Sequence, residues 1–238
     1  MGVANWVSQV LAFSVLSTRR YALVFAWASA VVSCCGTQIV GMAWRDYSPV
    51  AQTVSTLAAI GAPTREWMNA VLVVTAASLA ALAVVVPGAS RLGRILLWLA
   101  AMGVTAAVLL PFPAPDVDTG PHTAAVTVAM VMVGFAPLAM CAKWRRGAWG
   151  MRLLPVVIAT AVLVVLGFTF LGHWLHKTPV MGLIERVFIA AEMVCLVWVV
   201  HRGTASASLV QPDHLESVVV DEGTAAEPVG RGDKLTLS

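Results

Sequence analysis

Charge is scarce in this chain. Only 11% of its residues are Asp, Glu, Lys or Arg, while 59% are hydrophobic, and soluble domains carry roughly 25% charged residues. A water-facing globular surface is therefore excluded. Nothing basic is clustered enough to hold nucleic acid, and no phosphate-cradling glycine loop, dinucleotide fingerprint or nucleophile elbow is present. Cysteine is scarce too: Cys34, Cys35, Cys141 and Cys195 all fall inside apolar runs, where free thiols are expected rather than the paired framework of a secreted domain.

What is there instead is six apolar runs, roughly Tyr21 to Ala43, Trp67 to Val86, Ile95 to Leu110, His122 to Cys141, Leu153 to Leu171 and Val180 to Val200. Each approaches the ~20 residues that a helix needs to cross a bilayer core of ~30 Å. Strand-like alternation is missing, so the backbone must satisfy itself as helices. The expected fold is all-α, a polytopic membrane bundle of six transmembrane helices. It divides into an interfacial segment 1–20, a membrane domain 21–202 and a disordered acidic tail 203–238.

Basic residues orient it. Arg19, Arg20, Arg91, Arg94, Lys143, Arg145, Arg146, Arg152 and Arg202 fall on one side, against Arg45, Arg65 and Lys177 on the other. The positive-inside rule then puts both termini in the cytoplasm of a cell-membrane protein. The stretch from Asp46 to Pro63, too polar for lipid and too apolar for a linker, falls outside. Ser48 as a cap, Pro49 at the first helical position and the Gly61 to Pro63 stop predict a short extracytoplasmic helix with Ser48, Gln52 and Ser55 on one face.

Polar side chains gather at that same end: Asp46, Ser48, Gln52, Ser55, Glu66, Asn69, Asp116, Asp118, His122, His173, His176, Glu185 and Arg186. Intramembrane polar groups need partners, so their convergence points to a site. The leading expectation is an outer-leaflet pocket for membrane lipid or an envelope precursor, formed by Ser48, Ser55, His122, Glu185 and Arg186. Arg186 would hold an anionic head group and the hydroxyls would orient it. No cofactor is needed for that. In the alternative, His122, His173 and His176 bind zinc, and a metal-bound water with Glu66 or Glu185 supplies hydrolysis. In a third reading the chain is a noncatalytic subunit or scaffold whose tail recruits a membrane-protein partner. Asp116 and Asp118 suit a solvated turn and a helix start. Glu192 shares a face with Glu185 and lies roughly 20 Å below Thr178 at about 1.5 Å per residue. Such a carboxyl is either a proton or ligand site or is bonded to Ser33, Thr37 or Gln38 of another span.

The segments DYSPVAQTVSTLAAIGAP, FPAPDVDTGPH and GLIERVFIAAEMVCLVW together resemble the bacterial integral membrane family called domain of unknown function 998. The likeness covers all six apolar runs and not the tail. It implies a six-helix membrane protein in which Ser48, Ser55, Asp116, His122, Glu185 and Arg186 are the marked positions, and it brings no activity with it.

Overall fold

The computed structural model describes residues 3–110, 112, 120–144 and 153–207. All the regular structure among them is helical, in the order α1 (Val3–Val31), a π turn (Val32–Gly36), α2 (Thr37–Met42), a 3₁₀ turn (Val54–Ala58), α3 (Arg65–Val85), α4 (Arg91–Leu109), α5 (Gly120–Trp144), α6 (Leu153–Leu175) and α7 (Met181–Ala207). Among the described residues, five helical stretches are long and apolar enough to cross a membrane: Ser17–Met42, Arg65–Val85, Arg91–Leu109, Gly120–Cys141 and Leu153–Leu175. The expected sixth span, α7, is not among the five; it carries Glu185, Arg186 and Glu192 in its first half. Helix α1 runs unbroken through Arg19 and Arg20. Helix α7 continues to Ala207, which makes the first residues of the expected tail helical. The rest of that tail, with Asp116 and Asp118, lies outside the described residues.

Neighbours in sequence pack as neighbours in space from α3 through α7, with α1 against α3. Helix α7 closes the bundle by touching α1, α5 and α6, and that central position shelters the polar side chains it carries. At the end of the bundle holding the α3–α4 turn, Leu79, Leu82, Leu97, Val133, Met140, Leu196 and Val200 form a solid apolar core. Ser90 caps α4, accepting the Gly93 N–H at 2.9 Å and donating to the Ala139 carbonyl at 2.7 Å. Arg94 donates to the Val84 and Val86 carbonyls at the end of α3, as a cation should at a helix C-terminus.

Small residues set the α4–α5 spacing. A Cβ on Gly103 would lie 2.9 Å from the Ala125 oxygen and from the Ala129 nitrogen, so the two backbones meet directly, as small-residue interfaces in membranes do. Gly103→Leu should force the helices apart and destabilise the protein by about 1–3 kcal/mol. A thermal unfolding midpoint equal to wild type in the same detergent would contradict this. Ser33 and Thr37 likewise serve packing. Their hydroxyls donate to the Ser29 and Ser33 carbonyls of their own helix, and Ser33 also meets Thr75 Oγ1 at 3.2 Å.

Candidate functional site

The stretch 43–64 crosses one end of the bundle as a lid, but not as the expected helix. Only the five residues of the 3₁₀ turn are helical, because α7 takes the backbone groups that a helix would have paired internally. Glu185 Oε2 accepts the Val54 N–H at 2.6 Å, and the Leu183 N–H donates to the Val50 carbonyl at 3.0 Å. Arg186 donates to the Pro49 and Gln52 carbonyls at 2.8 and 3.1 Å, and to the Tyr47 hydroxyl. That hydroxyl in turn donates to the Thr53 carbonyl at 2.9 Å. Within the lid, Ser48 accepts the Ala51 N–H and Gln52 Oε1 accepts the Ser48 N–H. Gly61, at φ +87°, makes the turn that ends it, a conformation that glycine adopts without a Cβ penalty.

Tyr47 is one of two tyrosines in the chain. Burial pushes its phenol above the ordinary value, against the pull of the Arg186 guanidinium, so at neutral pH it is an un-ionised hydroxyl. The guanidinium also lies 5.5 Å from the centre of its ring, within cation–π range.

Beneath the lid, between α5, α6 and α7, is a cavity of about 600 Å³. Its lid end carries Gln52, Ser55, His122, Lys177 and Glu185, its walls Met130, Phe135, Leu163, Phe168 and Phe188, and its deeper polar groups are Thr160 and Glu192. Thr160 Oγ1 and Glu192 Oε1 are buried with no hydrogen-bond partner among the described residues; their residues are 5% and 2% exposed. The bond from Glu192 to Ser33, Thr37 or Gln38 is not made through Oε1. A smaller cavity of about 110 Å³ on the other side of α7 is lined by Ser33, Thr37 and Thr75 and shares Ser55, Glu185 and Glu192 with the first.

Of the expected site residues, Ser55, His122 and Glu185 come together on the cavity wall. Ser48 is exposed and engaged within the lid, while Arg186 clamps the lid to α7; neither lines the cavity. Lid carbonyls and the Tyr47 hydroxyl occupy the two terminal nitrogens of Arg186, while its Nε is buried with no hydrogen-bond partner among the described residues. His122 is 3% exposed, its Nδ1 2.8 Å from the Leu110 carbonyl oxygen and its Nε2 3.2 Å from Ser55 Oγ.

The expected zinc ligands do not assemble. Among the described residues no group of three or more His, Cys, Asp or Glu side chains is placed to hold a metal ion. His173 Nδ1 instead meets Thr178 Oγ1 at 2.7 Å, across the turn that ends α6 with Lys177 at φ +48°, and His176 is exposed. The i, i+3 spacing of the two histidines serves a helix end rather than a shared ligand.

Three residues that matter to this geometry had not been expected: Tyr47, Gly182 and Thr160. A glycine one turn before the Glu–Arg pair signals close backbone approach and could have been read; the Thr160 orphan depends on which way α6 faces and could not.

No curated protein and no solved structure matches the chain. A family model does match, over residues 27–202, which takes in the lid, the cavity and every expected site residue. The chain belongs to the family described as protein of unknown function, DUF998.

Proposed function

We propose that this protein is a six-span protein of the plasma membrane, both termini cytoplasmic, whose outer-leaflet cavity binds an amphipathic lipid or envelope precursor. One observation carries the reading: a largely apolar cavity has two buried polar atoms, Glu192 Oε1 and Thr160 Oγ1, that no described residue satisfies. A buried polar atom without a partner costs about 1–3 kcal/mol, and a ligand bearing one polar group among apolar ones removes that penalty. Apolar walls with a few convergent polar groups are the usual make-up of a ligand site. Lys177, on the cavity lining and 5.4 Å from the Trp174 ring centre, takes over from Arg186 as the cation facing an anionic head group.

Gly134 offers the test. A Cβ there meets only Glu192 Oε1, at 3.3 Å, so a larger side chain grows into the cavity. Gently extracted wild type should carry lipid in native mass spectrometry, and Gly134→Phe should carry about tenfold less, the equivalent of ~1.4 kcal/mol of binding. Identical lipid profiles for the two proteins would defeat the proposal.

A further inference from the structure

The Ser55–His122 contact has the geometry of an activated nucleophile rather than of packing alone. The Leu110 carbonyl can only accept, so the proton of the neutral imidazole resides on Nδ1 and is donated across 2.8 Å. Nε2 is left as an acceptor aimed at Ser55 Oγ, 3.2 Å away. A nucleophile, a base within hydrogen-bond reach and a third group fixing the tautomer of that base make up the minimal apparatus of serine acyl chemistry. Phe112, its ring 5.3 Å from the imidazole, holds the histidine from the side. Its own carbonyl accepts the Ile60 N–H at 2.8 Å, joining lid and histidine into one unit. Ser55 is half-buried and lines the cavity together with His122, so a bound molecule has access to both.

We infer that Ser55 and His122 form a metal-independent acyl-transfer dyad acting on an ester-bearing lipid in the cavity. The inference rests on the proposed lipid-binding reading and adds a reaction to it. Ser55 Oγ attacks the ester carbonyl carbon as its proton passes to His122 Nε2. Collapse of the tetrahedral adduct breaks the bond to the leaving alcohol, whose oxygen takes that proton, and leaves the acyl group on Ser55. A water then gives a proton to Nε2 and attacks the acyl carbon; Ser55 Oγ departs and recovers its proton. The sum is ester plus water to carboxylic acid plus alcohol. The Leu110 carbonyl orients the imidazole but brings no full charge, so the dyad is slower than one backed by a carboxylate.

The experiment uses the full chain in detergent and a fluorophosphonate carrying a dodecyl chain, which phosphonylates an activated serine. Intact mass reads the adduct and peptide mapping locates it. Wild type should take up one label, on Ser55; Ser55→Ala should take up none. His122→Asn should react at least ~100-fold more slowly, the contribution of a positioned base. An unlabelled wild type, a label elsewhere than Ser55, or an unchanged rate in His122→Asn would each overturn the dyad. Labelling of the wild type alone decides it where a variant fails to fold. Native mass spectra of the same samples separate the two ideas: lipid without label removes the chemistry and keeps the binding, whereas neither lipid nor label removes both.

Discussion

Gly182→Val should unseat the lid and destabilise the protein by about 3 kcal/mol, the upper part of the range for forcing a side chain into a filled space. A Cβ at position 182 would lie 2.1 Å from the Gln52 oxygen, 2.7 Å from its carbonyl carbon and 2.9 Å from the Pro49 oxygen. All three are backbone atoms, so no side chain can swing aside. The lid must lift, and with it go the Arg186 bonds to the same two carbonyls. Two measurements check this. The thermal unfolding midpoint should fall, and limited proteolysis should cut within 47–60 in the variant and not in wild type. A variant with wild-type stability and an uncut lid would show that the lid does not rest on α7 at this glycine.

Arg186→Ala should have a comparable effect, by about 3 kcal/mol, from the opposite side of the same contact. Hydrogen bonds from charged donors contribute about 1.5–3 kcal/mol each and do not add simply. Arg186 makes such bonds to the Pro49, Gln52 and Gly182 carbonyls and to Tyr47. Arg186→Lys should recover less than half of the loss, because a single ammonium does not reproduce a planar fork that reaches several acceptors and lies against a ring. Tyr47→Phe tests the coupling: it removes the hydroxyl and keeps the ring, and its effect should be smaller in the Arg186→Ala background than in wild type. Equal effects in the two backgrounds, measured by urea or thermal unfolding, would mean that the two side chains act independently.

Much of this architecture was legible along the chain. Apolar runs without strand-like alternation marked the helices because only helices and closed barrels satisfy their backbone hydrogen bonds in lipid, and prolines and glycines marked several of their ends. The Glu185–Arg186 pair declared itself as a place needing partners, and the family resemblance drawn from the motifs agrees with the match over residues 27–202. The nature of the lid was harder. Ser48, Pro49 and Gly61 carry true helix signals, yet capping preferences amount to ~1 kcal/mol, and several bonds from Glu185 and Arg186 outweigh them. The histidines misled because i, i+3 spacing places two side chains on one helical face without placing a third beside them; His122 is turned to Ser55 and the Leu110 carbonyl. The sequence places a guanidinium at this end of the bundle without revealing that the backbone carbonyls of residues 49 and 52 share one of its terminal nitrogens and the Tyr47 hydroxyl takes the other.

The sequence by itself determined the solvent of this protein, the helical nature of its spans, and the end of the bundle where hydrophilic groups collect, because hydropathy and proline or glycine placement act locally and survive any arrangement of the helices. Only the tertiary structure decided that the lid is held by α7 as well as by its own hydrogen bonds, that Ser55 faces His122, and that Thr160 Oγ1 and Glu192 Oε1 have no partner among the described residues in one cavity. Those outcomes depend on the rotation of each helix about its axis, and that rotation is set by contacts such as Gly103 against α5 and Gly182 against the lid, between residues far apart in the chain.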